Sequence, residues 1–138
     1  MASPDDVEAQ FYDALREGDV DKLMALWADD DEVVCVPPGG ARVIGVRAIR
    51  AAFEAAFAGG GLPLRAEQVR RLQTIDAAVH TVVENVTIAS AEGSRTGYVI
   101  ATNVYLRGVH GWRMVAHHAS PGLPDAPQDA QTPPSMLH

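Results

Sequence analysis

Apolar side chains recur at helical spacing along the N-terminal part of the chain. Ser3, Pro4 and the acids that follow have the order typical of a helix start, and Gly18 can take the left-handed conformation that ends a helix. A second helix is predicted after Asp19, and a third after Gly45 that ends at three consecutive glycines. The apolar stripe of the second helix is Val20, Leu23, Met24 and Trp27. A short apolar strand at 33–36 is predicted between these two helices.

From Leu62 onward the apolar period changes to two, which is typical of strands. Four strands are predicted at about 62–75, 78–91, 95–107 and 111–120, joined by turns into an antiparallel meander. Helices first and a sheet last predict an α+β fold with the helices on one face of the sheet. After Ser120 five prolines follow, so we expect one domain over 1–121 and a flexible Pro-rich tail over 122–138.

The two faces of the predicted sheet differ in composition. One face carries large apolar side chains: Val82, Val86, Ile88, Tyr98, Ile100, Val104, Leu106, Trp112 and Met114. The other face mixes small, polar and aromatic side chains: Thr81, Val83, Asn85, Thr87, Val99, Ala101, Asn103, Tyr105, Val115, His117 and Ala119. A mixed face beneath helices is typical of a pocket lining, whereas a contiguous apolar face calls for a partner. We therefore expect a homodimer through the apolar face, with Glu84 on that side by strand parity.

Composition narrows the class of partner. The chain has 138 residues and a formal net charge of −7, and its 11 basic residues are scattered, so a nucleic-acid partner is not expected. No apolar run approaches the roughly 20 residues of a membrane span, and the N-terminus has no signal-peptide pattern. The single cysteine, Cys35, excludes an internal disulfide and reads as a small buried hydrophobe. We expect a cytoplasmic protein.

The segment 11–21 (FYDALREGDVD) resembles the opening of nuclear transport factor 2-like proteins, in which a first helix ends at Gly-Asp and a second begins. The segment 27–34 with Gly45 and Ile49 continues this resemblance. The ending 111–121 is similar to the last strand of SnoaL-like proteins and of the calcium/calmodulin-dependent kinase II association domain. The resemblance covers about residues 5 to 121. It implies a cone-shaped α+β roll of the cystatin-like kind, with three N-terminal helices packed on a curved antiparallel sheet and a pocket at its open end.

The resemblance also bears on the ligand. In the kinase association domain basic residues line the pocket, and Asn85, Asn103 and Ala119 fall at three of their positions here, so a polar and less cationic pocket is implied. Ketosteroid isomerases share the same opening, but their general base falls at Val36, and their oxyanion-stabilising tyrosine falls near Phe11, next to Tyr12. Steroid isomerisation of that type is therefore not expected.

His117 and His118 are neighbours on a strand and must point to opposite faces. Face composition places His117 in the pocket as the candidate catalytic acid or base, and His118 on the apolar face. The candidate ligand-binding residues are Tyr12, Trp27, Asn85, Asn103, Tyr105 and His118. The other histidines lie in predicted turns and the tail without ligand-like spacing, so neither a metal nor another cofactor is expected.

Two functions remain open at this point. The first is an isomerase, cyclase or dehydratase that acts on a small organic molecule through His117, with Tyr12, Asn85 and Asn103 as orienting groups. The alternative is a non-catalytic ligand-binding or oligomerisation module, because this fold hosts both.

Overall fold

Three helices and six strands make up the described part of the chain, residues 2–131, in the computed structural model. In chain order they are α1 (Pro4–Glu17), α2 (Val20–Met24), β1 (Val34–Val36), β2 (Val43–Ile44), α3 (Val46–Ala56), β3 (Leu64–Gln73), β4 (Ala77–Ser90), β5 (Gly93–Gly108) and β6 (Gly111–Ala119). A single 3₁₀ turn, Phe57–Gly59, follows α3. Residues 132–138, which include His138 and the end of the predicted tail, lie outside the described residues.

The helices begin at the predicted capping residues, α1 ends at the predicted Gly18, and α3 ends at Ala56, where a 3₁₀ turn leads into the three glycines. The side chain of Ser3 accepts from a backbone N–H in the first turn of α1, Asp19 does the same for α2, and Gly18 ends α1 with a φ of 69°. The helix predictions are confirmed, with one difference. Trp27 lies beyond the end of α2, where it forms an isolated parallel bridge with Met114.

All six strands belong to one sheet, in the order β2-β1-β6-β5-β4-β3. The four predicted long strands are confirmed as an antiparallel meander. The sheet as a whole is mixed, because β1 pairs in parallel with β6, where Cys35 lies beside His117. The two-residue strand β2 was not predicted, because so short a segment carries no periodic signal.

The face of β4 that the helices cover is the opposite of the predicted one. Ser90 pairs with Gly93 at the hairpin, so even-numbered residues of β4 lie opposite odd-numbered residues of β5. Val82 therefore belongs to the buried core, and Glu84 faces α1 instead of a dimer partner. Asn85 points to the other face, where it donates to Glu67.

A bulge between β5 and β6 corrects a second face assignment. Val104 pairs with Ala116, but the next residue, Tyr105, pairs with Met114. The extra residue on β6 reverses the alternation, so that Trp112 and Met114 lie on the inner face and are buried. On the inner face, Trp112 and Met114 belong to one hydrophobic core together with Val7, Phe11 and Leu15 of α1.

After these corrections the outer face of β5 still exposes apolar side chains. Ile100 is 41% exposed and Leu106 is 46% exposed. The chain after β6 continues along β5, where Leu123 and Tyr98 exchange two backbone hydrogen bonds of 2.7 and 2.8 Å. The first residues of the predicted tail thus pair with the sheet.

Candidate functional site

Seven polar side chains lie buried between α1 and the inner face of the sheet. They are Glu8, Tyr12, His80, Glu84, Asn103, Tyr105 and His117, which we call the inner network. His80, Asn103 and His117 form one cross-strand row on β4, β5 and β6. Polar groups removed from water in this way need internal partners, because an unpaired one costs about 1–3 kcal/mol.

Glu8 is the acceptor at one end of the inner network. Its Oε2 accepts from the hydroxyl of Tyr105 at 2.6 Å and from Nδ1 of His80 at 2.8 Å. The side-chain amide of Asn103 donates to the same oxygen at 3.4 Å. Three donors thus converge on one carboxylate that α1 brings into the interior. The other ring nitrogen of His80, Nε2, is buried and has no hydrogen-bond partner among the described residues.

A second carboxylate, Glu84, lies at the other end. Its Oε2 accepts from the hydroxyl of Tyr12 at 2.7 Å. That hydroxyl in turn accepts from Nδ2 of Asn103 at 3.1 Å. The Oδ1 atom of Asn103 lies 2.5 Å from Nδ1 of His117, and Nε2 of His117 lies 3.9 Å from Oε2 of Glu84.

The pKa values of Glu84 and His117 are shifted in opposite directions. Burial, with a further contribution from the charge of Glu8, raises the pKa of Glu84 from 4.5 to about 7, although the bond from Tyr12 opposes this. Burial, with a further contribution from His118, lowers the pKa of His117 from 6.5 to about 4. Near neutral pH the imidazole is therefore uncharged, and the carboxyl group can gain or lose a proton.

Three further groups, Tyr12, Tyr105 and Cys35, hold their protons at neutral pH. Burial and the nearby carboxylates raise the pKa of Tyr12 and of Tyr105 well above the usual range. Burial raises the pKa of Cys35 to about 12, so this thiol is a packed and unreactive group, as predicted.

A groove of about 370 Å³ between α1 and β3 reaches the inner network from outside. Its lining residues are Asp5, Glu8, Ala9, Tyr12, Asp13, Arg16, Arg65, Ala66 and Arg71. A bulge in β3 turns Arg71 to the inner side, where its Nε donates to Asp5 at 2.7 Å. Glu8 and Tyr12 belong to both the groove and the inner network, so they connect the buried groups to the surface.

A larger cleft of about 950 Å³ lies elsewhere, between the segment 27–34 and the β5–β6 hairpin. Trp27 lines this cleft, and its indole N–H is buried without a hydrogen-bond partner among the described residues. Trp27 belongs to the same hydrophobic core as Tyr12 and Tyr105, but it lines this cleft, and none of the inner network does.

The structure brings together four of the seven candidate residues, Tyr12, Asn103, Tyr105 and His117. Asn85 is half-buried on the opposite face, and His118 is exposed on that same outer face. His80, predicted to lie in a turn, is on β4 and fully buried. Within residues 2–131 no three His, Cys, Asp or Glu side chains are grouped as metal ligands would be.

Sequence reasoning missed three members of the inner network: Glu8, His80 and Glu84. One signal for Glu8 is its spacing, because it precedes Tyr12 by four residues and so lies on the same side of α1. Glu84 interrupts an apolar strand, which marks it as a buried charge in need of a partner. That partner, Tyr12, lies 72 residues away in sequence.

The sequence profile of the SnoaL-like domain matches residues 5–124, and the topology described above is the one that the resemblance implies. The chain belongs to the SnoaL-like family of the nuclear transport factor 2-like superfamily. Among curated proteins, none matches it. No helix within the described residues is long and apolar enough to cross a membrane.

Several solved structures share the fold. A candidate calcium/calmodulin-dependent protein kinase type II association domain from Thiobacillus denitrificans is 38% identical, with a TM-score of 0.78 over 88% of this chain and 96% of that chain. A candidate dehydratase of the same superfamily from Streptomyces avermitilis is 27% identical, with a TM-score of 0.74 over 86% and 98%. A protein with a cystatin-like fold from Novosphingobium aromaticivorans is 19% identical and shows the fold alone, with a TM-score of 0.70 over 83% and 77%.

Proposed function

We propose that this SnoaL-like protein is an enzyme that moves a proton on a small organic molecule, in an isomerisation or an elimination of water. The observation that carries the proposal is the pair Glu84 and His117. Their pKa values are shifted in opposite directions, to about 7 and about 4, and their facing atoms are 3.9 Å apart. Acid–base sites are commonly built from such pairs. The similarity to the candidate dehydratase supports the same class.

Glu84 is the better proton carrier of the two. A general base is most effective when its pKa lies near the working pH, and the pKa of about 7 meets this condition. In the proposed step, the Glu84 carboxylate takes a proton from the carbon next to a substrate carbonyl, and an enolate forms. It then returns the proton to another carbon, which is isomerisation, or to a departing hydroxyl group, which is dehydration.

Two further groups have supporting roles in this proposal. Once Glu84 has taken the substrate proton, the hydroxyl of Tyr12, a residue that lines the groove and contacts Glu84, turns its own proton to the enolate oxygen. His117 accepts a hydrogen bond from a substrate hydroxyl at Nε2 and orients it. A substrate enters through the groove between α1 and β3, which has room for a small organic molecule. Trp27, Asn85 and His118 take no part.

The test uses probes that report proton abstraction directly. Diacetone alcohol and allyl methyl ketone are incubated with the protein in D₂O, and deuterium uptake beside the carbonyl is followed by NMR. We expect protein-dependent exchange that Glu84→Gln lowers by about 10² or more. Glu92→Gln, in the exposed β4–β5 turn, is the matched control and should exchange as the wild type does. Equal exchange with and without protein, or in wild type and Glu84→Gln, contradicts the proposal.

The alternative, an oligomerisation module, is favoured by the exposed apolar side chains on the outer face of β5. We propose a homodimer through this face, which is compatible with the enzyme proposal because the inner network lies on the other face. Sedimentation equilibrium at micromolar concentration should give twice the chain mass of 14.7 kDa. A single species of 14.7 kDa contradicts the homodimer.

A further inference from the structure

The orientation of the Asn103 amide is determined by two acceptors. When Glu84 is ionised, the hydroxyl of Tyr12 gives its own proton to this carboxylate, so towards Asn103 it can only accept. Glu8 as a carboxylate can also only accept. The NH₂ end of the amide must therefore face both Tyr12 and Glu8, at 3.1 and 3.4 Å. The carbonyl oxygen, Oδ1, then faces the other way, towards His117.

This orientation determines which nitrogen of His117 carries the proton. Oδ1 of Asn103 can only accept, and Nδ1 of His117 lies 2.5 Å from it. Nδ1 must be the donor. A neutral imidazole has one N–H, so Nε2 is left with a free lone pair on the side of Glu84.

Glu8 is itself held in place from the opposite side. The hydroxyl of Tyr105 and Nδ1 of His80 donate to the same oxygen that Asn103 contacts. Its position is thus determined by β4 and β5 as well as by α1. A rigid acceptor at this point stabilises one orientation of the Asn103 amide.

We propose that Glu8 is a positioning residue that acts through Asn103 to hold His117 as the Nδ1–H tautomer, with Nε2 left as an acceptor facing Glu84. The chemical use of that acceptor rests on the proposed function. The tautomer itself does not, because it follows from the hydrogen bonds of the unliganded protein. Loss of Glu8 removes one of the two acceptors that determine the amide orientation. In Glu8→Gln the new NH₂ group can also donate to Oδ1 of Asn103 and so favour the flipped amide.

The first measurement is made on the wild-type chain. Long-range ¹H–¹⁵N correlation, recorded above the Glu84 pKa of about 7, distinguishes a protonated ring nitrogen from one with a free lone pair. The His117 signals are assigned by their loss in His117→Gln. We expect a protonated Nδ1 and an unprotonated Nε2. A protonated Nε2 overturns the proposal. This result requires no variant of Glu8 to fold.

The second measurement compares Glu8→Gln with Asp13→Asn. The control removes a carboxylate from the same helix and the same groove, but this carboxylate accepts from Arg16, which is not a member of the inner network. Glu8→Gln should shift the tautomer ratio of His117 towards Nε2–H by at least about tenfold, because the amide of Asn103 loses a hydrogen bond to a charged acceptor. Asp13→Asn should leave the ratio unchanged. An unchanged ratio in Glu8→Gln, or an equal shift in both variants, overturns the proposal.

The two proposals fail separately. The tautomer is measured without a substrate, so absence of deuterium exchange leaves this result intact. A wrong tautomer, in turn, leaves exchange by Glu84 intact. A purely structural role for Glu8 would change stability but not the tautomer ratio.

Discussion

On the inner face of the sheet, three polar side chains, His80, Asn103 and His117, stand side by side on neighbouring strands and are buried. On the outer face of the same strands, Ile100 and Leu106 are 41% and 46% exposed. The polar groups tolerate burial because α1 supplies Glu8 and Tyr12 as partners. The apolar groups have no such cover within residues 2–131. We infer that the inner face carries the proposed proton transfer and that the outer face binds a second copy of the chain.

The largest effect is expected from Asn103→Leu. The substitution leaves the N–H of His117 without its acceptor and removes a donor from both Tyr12 and Glu8. At about 1–3 kcal/mol for each orphaned group, we expect a loss of about 3 kcal/mol or more in the free energy of unfolding. Denaturant titration measures it. The matched control is Thr102→Leu, at the preceding position of β5 on the outer face. It should lower the free energy of unfolding by less than about 1 kcal/mol. Equal losses would contradict the difference between the faces.

The inner network also predicts opposite pH dependences for two variants. In the folded state Glu84 keeps its proton from pH 4.5 to about 7, where the unfolded chain has lost it, so this group lowers stability as pH rises through that range. His117 stays neutral down to about pH 4, whereas the unfolded chain binds a proton below 6.5, so it raises stability as pH rises from about 4 to 6.5. In the wild type the two largely cancel.

Removal of one group should reveal the other. In Glu84→Gln the free energy of unfolding should rise with pH between about 4 and 6.5, and in His117→Gln it should fall between about 4.5 and 7. Each change is at most about 3.5 kcal/mol, because one pKa unit corresponds to about 1.4 kcal/mol. Glu92→Gln gives the background from the other carboxyl groups. Parallel curves for the three variants would show that the two pKa values are not shifted.

On the outer face, Ile100→Asp should weaken the proposed dimer by about tenfold or more, because a charge would be buried against the apolar face of the partner. Sedimentation equilibrium measures the dissociation constant. Ile88→Asp is the control, since Ile88 is similarly exposed, at 37%, but has the strand parity of the inner face. The same weakening in both variants would place the interface elsewhere.

The smallest effect is expected from the tail. Deletion of residues 124–138 should change the melting temperature by a few degrees at most, because the deleted segment is rich in proline and small residues. Deletion of residues 121–138 also removes Leu123 and its two backbone hydrogen bonds to Tyr98, and should lower it further. A large drop in the shorter deletion would show that the tail stabilises the domain.

Helix and strand positions could be predicted because their signals are local. The capping side chains of Ser3 and Asp19 and the alternation of the last four strands are visible within a few residues. Which way each strand faces could not be predicted as well. For β4 it depends on the pairing of Ser90 with Gly93, and for β6 on a one-residue bulge, and neither leaves a clear mark in the sequence.

The candidate site was predicted in part for the same reason. Asn103, Tyr105 and His117 were assigned to the inner face correctly. Asn103 and Tyr105 follow the regular alternation of β5, and His117 lies outside the effect of the bulge, which reverses only the part of β6 that pairs from Tyr105 onward. Glu8 and Glu84 were missed, because a buried carboxylate makes physical sense only beside its donors, and those donors are distant in sequence.

Site-resolved NMR titration of Glu84 and His117 tests most directly whether the inner network makes these two side chains the proposed proton-transfer pair. We expect a Glu84 carboxyl group that titrates near pH 7 and a His117 imidazole that remains neutral down to about pH 4. Titration of Glu84 near 4.5 together with His117 near 6.5, the ordinary values, would contradict it.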